Sequence, residues 1–218
     1  MPGRHHPLFS AEDLAAIRAA TSEAEGLTAG EVVPYSVDRC DDYADAVWRA
    51  ATLGALGATL VVGLVHWRLD AWGVGVTWLL ATPFMGAALG FLAAQPARIR
   101  RLLVAGAELE RKTRLRAEAA FLEEEVFATR ERTGILIVMA LFERRVVILG
   151  DAGINAQVAP GEWEAIAARL AAGIREGRPA AALVEAIQAC GKILEERRVA
   201  WRPDDRNELA DGLRIRAQ

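Results

Sequence analysis

The 218-residue sequence has few of the side chains that usually carry covalent chemistry. Serine occurs only at positions 10, 22 and 36, and none of the three stands in a G-x-S-x-G setting. Of the three histidines, His5 and His6 lie in the opening segment and His66 at the edge of an apolar run. Cys40 and Cys190 are isolated, with no metal-ligand spacing and no disulfide framework, and read as two buried thiols. Gly191-Lys192 lacks both the preceding glycine and the following Ser/Thr of a phosphate-cradling loop. Lysine is nearly absent, at 112 and 192 only, and the net charge is −3. No basic tract exists to neutralise phosphates, so a nucleic-acid partner is excluded as an expectation. Met1–Pro7 is polar and leads into a helix start, so no cleavable signal peptide is expected.

Charge of either sign is missing from residues 50–67 and again from 71–97. As helices, the 18 residues of the first run reach about 27 Å and the second run is longer, against about 30 Å for a bilayer core. Arg68-Leu69-Asp70 leaves room for a tight turn only. Trp48, Trp67 and Trp72 fall where an interfacial aromatic belt would be. Pro83 would kink the second helix, and Gly86 and Gly90 form a GxxxG that allows close helix approach. Segment 49–97 therefore reads as a transmembrane hairpin with spans at about 50–67 and 71–95. Arg39 and Arg49 precede it, Arg98, Arg100, Arg101, Arg111 and Lys112 follow it, and the turn has Arg68 alone. That asymmetry places both flanks on the cytoplasmic side of a multi-pass protein of the bacterial inner membrane. The expected partners are the lipid bilayer, membrane proteins, and a second copy through Gly86 and Gly90.

The flanks read as one α/β domain split by the hairpin: residues 1–48, then 98–200, with a polar tail at 201–218. Ser10 as N-cap and Asp13 at N3 form a capping box, with Phe9 and Leu14 as a hydrophobic staple and Gly26 at the end. "GEVVPYSV" (30–37) reads as a strand that Pro34 confines to an edge or a bulge. Residues 97–130 read as one long charged helix with an apolar stripe through Leu102, Leu109, Leu115 and Phe121. Ile135–Leu141 is continuously apolar, as a strand covered on both faces would be. Phe142–Arg145 turns the chain into a partner strand, Val146–Leu149. The cluster Gly150-Asp151-Ala152-Gly153 is a turn, and two amphipathic helices follow.

The ordered set "LTAGEVV", "RTGILIVMALFERRVVILGDAGI", "EWEAI", "REG" and "ACGKIL", closing on "DDRNELADGL", resembles the TPM domain family. The hairpin inserted after the first strand resembles a bacterial membrane-protein branch of that family. The resemblance implies a compact sandwich: a small mixed sheet flanked by helices, here interrupted by a two-helix transmembrane hairpin. It also implies activities that differ between branches, namely phosphatase activity, divalent-cation binding, and assembly or repair of membrane complexes. This chain departs from many relatives in having Asp151 where they carry an aromatic residue.

If the first strand runs parallel to Ile135–Leu141, Gly30-Glu31 and Gly150-Asp151 share one end of the sheet. Asp38, Asp41, Asp42 and Glu143 then belong to the other. Glu31, Asp151 and Asn155 offer hard oxygen ligands suited to Ca²⁺ or Mg²⁺. The plainer alternative is that Glu31 is a solvated strand-end residue and Asp151 holds a turn. The expected function is a non-enzymatic accessory or interaction module for membrane-protein complexes, open to modulation by a divalent cation. The alternative is a metal-dependent phosphatase.

Overall fold

The computed structural model of the chain describes residues 8–26, 28–69, 76–159, 161–197 and 209–216. These form two compact units, one made of residues 1–40 with 110–218 and the other of 41–109.

The first unit is a four-stranded mixed sheet between two helical layers. Its strands are β1 (Val32–Val37), β2 (Ile135–Ala140), β3 (Arg145–Gly150) and β4 (Arg214–Arg216), in spatial order β3-β2-β1-β4. β1 runs parallel to β2, with Val32 opposite Ile135, and β2 runs antiparallel to β3. The side-chain period of two sorts the strands between two cores. Val32, Ile135, Ile137, Met139 and Ile148 face the layer of α1 (Ala11–Glu25), α7 (Glu162–Arg175) and α8 (Pro179–Glu196). Val33, Tyr35, Val37, Leu136 and Val138 face α5 (Gly106–Glu123), through Ala117 and Ala120. Burial on both faces is why the β2 sequence shows no polar alternation.

Local signals set the helix ends. Ser10 Oγ accepts the Asp13 amide and Asp13 returns a bond to the Ser10 amide, the capping box expected at the start of α1. Phe9 and Leu14 both enter the α1–α7–α8 core. Gly26 closes α1 by donating its N–H to Ser22.

Three expectations need correction. β1 is neither an edge strand nor bulged, since β2 and β4 flank it. Odd-numbered residues of β1 bond to β2, so Pro34 turns its nitrogen to the β4 side, and β4 pairs only with Tyr35–Val37. No ladder bond is therefore lost at Pro34. The expected irregular tail contains a strand, β4, while residues 201–208 fall outside the described residues. The long helix is broken: α4 (Ala97–Leu103) ends at an extended, buried Val104 before α5 begins.

In the second unit, α2 (Ala44–Leu69) packs along α3 (Val76–Ala93). The contact is made backbone to backbone. A Cβ on Gly54 would stand 2.2 Å from the Gly86 carbonyl oxygen, and one on Gly90 would stand 2.3 Å from that of Ala50. Gly86 and Gly90 thus face α2 of their own chain. Pro83 lies inside α3. Residues Ala44–Arg68 are the one helix among the described residues that is long and apolar enough to cross a membrane; a shorter apolar helix covers Leu80–Ala93. The expected turn at Asp70, Trp72 and the start of the second span lie outside the described residues.

Candidate functional site

Parallel β1–β2 pairing brings Glu31, Asp151 and Asn155 to one end of the sheet. Glu31 accepts the Ile135 amide through its carbonyl at 2.8 Å, and Asp151 donates its amide to the Gly134 carbonyl at 2.8 Å. Glu31 and Asp151 therefore flank the start of β2, two strand spacings apart, about 9–10 Å between backbones. Their side chains have different neighbours. Asp151 caps α6 (Ala152–Asn155), its Oδ1 accepting the Ala152 amide at 2.7 Å. Arg132 grips the same carboxylate with two bonds, Nε to Oδ2 at 2.5 Å and Nη2 to Oδ1 at 2.9 Å. Asn155 donates Nδ2 to the Gly150 carbonyl at 2.6 Å and accepts the Trp163 indole N–H at 2.8 Å. A cation at Asp151 would have to displace the Arg132 guanidinium.

Glu31 is buried beside Glu25, a residue that sequence reasoning passed over. Glu25 Oε1 accepts the Val32 amide at 2.9 Å. Burial, with Glu31 and Asp211 as negative neighbours, raises the Glu25 carboxyl to about 9, against the opposing pull of the Val32 bond. At neutral pH the Glu25–Glu31 pair thus holds a proton in a site that a hard cation could contest. Among the described residues, no three His, Cys, Asp or Glu side chains converge as a ligand set. No sequence motif marks Glu25, because it is the last residue of a helix and meets Glu31 only through the loop that follows.

The opposite end of the sheet holds Glu143, fully buried, whose Oε1 accepts the Cys40 amide at 2.8 Å. Burial first, then Glu143, pushes the Cys40 thiol up to about 12. Burial alone takes Cys190 to about 12. Both thiols are therefore protonated and poor nucleophiles at physiological pH. Asp38 is exposed and contributes its carbonyl to the Phe142 amide at 2.9 Å. In the second unit, Asp41 accepts the Tyr43 amide at 2.9 Å.

A third feature was not legible from any motif. A cavity of about 540 Å³ runs along β3, the open edge of the sheet, with α5 on one side and α7 on the other. Its walls include Trp163, Ala167 and Ala171 of α7 and Thr113 of α5, and four arginines (114, 144, 145, 175) reach it against Glu110 and Glu164. That volume lies in the usual range for ligand clefts.

Comparison with known proteins adds a partial match to a family model, and a fold. Residues 98–193 match the family model of the TPM domain. The chain is similar in structure to the BA42 protein of the psychrophilic bacterium Bizionia argentinensis, solved by NMR. The two share 19% sequence identity and a TM-score of 0.59, over 99% of each chain. No curated protein matches the sequence.

Proposed function

We propose, from the match of residues 98–193 to the TPM domain model, a membrane-anchored accessory module that acts on membrane-protein complexes by binding, not by catalysis. The observation that carries this reading is the surface of α2. Leu53, Leu56, Leu60, Val61 and Leu64 are all 53–73% exposed, and only 6% of the apolar window of this helix is buried. Such a face is stable in lipid and not in water. On this proposal α2 and α3 insert together as the 49–97 hairpin in the bacterial inner membrane. Arginines 98, 100 and 101 after the hairpin then hold both flanks on the cytoplasmic side.

The accessory role is supported by what the candidate nucleophiles are doing. Ser10 caps a helix, Ser36 is buried in β1, and both thiols are held protonated. The second reading, cation modulation, rests on the Glu25–Glu31 pair, where a divalent cation could replace the shared proton.

Alkaline extraction and protease accessibility of inverted vesicles test the anchor and its orientation. Co-purification after crosslinking in native membranes tests the accessory role. Recovery in the alkaline supernatant would remove the anchor. Phosphomonoester turnover that requires Mg²⁺ or Ca²⁺, and that is lost in Asp151→Asn and Glu31→Gln, would replace the accessory role with a phosphatase.

A further inference from the structure

The hydrogen-bond parity of the sheet decides what β3 offers to its open side. Ile135 donates to Glu31 and Leu141 donates to Val37, so odd-numbered residues of β2 bond to β1. Even-numbered residues of β2 then bond to β3. The Asp151 amide on the Gly134 carbonyl follows the same parity from the other strand. With Leu136 opposite Leu149 and Val138 opposite Val147, the odd-numbered residues of β3 face inward. The N–H and C=O groups of Val146 and Ile148, and the N–H of Gly150, point out along the edge. Among the described residues, only the Gly150 carbonyl has a partner there, the Asn155 side chain. Unpaired backbone groups along a groove are a template for another strand.

The edge has few of the usual protections. It carries no proline, its one charge is Arg145 at its start, on the same face as Val147 and Leu149 and paired with Glu110 of α5, and α5 and α7 wall it without covering it. Small residues Ala167, Ala168 and Ala171 line the α7 wall and leave room above the strand. Positive charge is in excess. Arg145 pairs with Glu110 and Arg114 with Glu118, whereas among the described residues Arg144 and Arg175 have no ion pair, and Glu164 is the one further acid on the groove. Arg144 sits at the turn before β3, at the end of the groove opposite Asn155.

We infer that the groove takes an extended acidic peptide segment of a partner protein. The segment adds as a fifth strand on Val146 and Ile148, with its carboxylates at the Arg144 and Arg175 end. Backbone pairing supplies affinity, and the arginines select for acidic sequence. The ladder stops at Asn155, which already occupies the last outward carbonyl. This deepens the accessory reading and rests on it, since it names how the module grips its partner.

The test uses the full chain in lipid nanodiscs, panned against a displayed library of random heptapeptides. Acidic peptides are expected to enrich. Binding of an enriched peptide should fall at least tenfold in Arg144→Glu and in Arg175→Glu, and should vanish in Val146→Pro. Proline there removes one outward N–H and leaves every β2–β3 bond intact. Circular dichroism of Val146→Pro verifies its fold, and an N-methylated copy of the peptide, which cannot pair, should fail on the wild type. No enrichment, enrichment without acidic bias, or equal binding to a folded Val146→Pro would overturn the inference. A dimer that Val146→Pro dissolves would assign the edge to a second copy instead. Crosslinked membrane complexes that survive in Val146→Pro would remove the groove while leaving the accessory role standing.

Discussion

Replacing Glu25 by Gln should make the protein more stable above neutral pH and leave it unchanged in mild acid. In the folded chain the Glu25 carboxyl is raised from 4.5 to about 9, first by burial and then by Glu31 and Asp211. A carboxyl whose folded value is raised favours folding fully below its unfolded value. That contribution is lost progressively as pH climbs from 4.5 towards 9. Each pH unit in that window is worth about 1.36 kcal/mol, so the unscreened loss between pH 4.5 and 7.5 is about 4 kcal/mol. Glu25 is only half-buried, and contact with water cuts this to roughly 1–2 kcal/mol. A glutamine keeps the oxygen that accepts the Val32 amide and never ionises. For a chain of this size the expected gain is a rise in Tm of roughly 2–8 °C at pH 7.5, with no difference at pH 4.5. Thermal unfolding in detergent, followed by circular dichroism across that range, measures it. Wild-type and variant curves that run parallel in pH, or a variant less stable at pH 7.5, would refute the shared-proton picture.

Other substitutions test the remaining features. Asp151→Ala should cost about 1 kcal/mol through loss of the α6 cap, with a further loss from the freed Arg132, whereas Asp151→Asn keeps the cap; chemical denaturation ranks the two. Gly86→Leu places a side chain 2.3 Å from the Gly54 carbonyl oxygen and should destabilise the α2–α3 pair by about 1–3 kcal/mol or more. Gly57→Ala, with nothing within 4 Å, is its neutral control in the same melt. Neither Cys40 nor Cys190 should react with a thiol reagent in the native protein at pH 8, and both should react after denaturation.

The sequence made the α1 cap, the β2–β3 hairpin and the shared sheet end of Glu31 and Asp151 legible, because each follows from a local pattern or from strand direction. Position along a sheet is different. Pro34 argues for an edge only if its nitrogen meets a neighbour, and that depends on how far β4 reaches, which three residues near the end of the chain decide. The candidate site failed to read out for a related reason. Asp151 finds Arg132 and Glu31 finds Glu25 through turns whose geometry no residue spacing specifies. The groove along β3 is a matter of hydrogen-bond parity between strands, which composition does not carry.

The position of β1 also sets a timetable. It is made early, yet its neighbours β2 and β4 come only at residues 135–140 and 214–216. At ordinary synthesis rates the stretch before β2 alone takes roughly 5–20 s. During that interval α2 and α3 emerge while β1 still has both flanks bare. On the proposed membrane anchoring, insertion would precede closure of the sheet. Pro34, which costs nothing in the finished fold, denies a hydrogen bond to any stray strand approaching the side that stays bare longest.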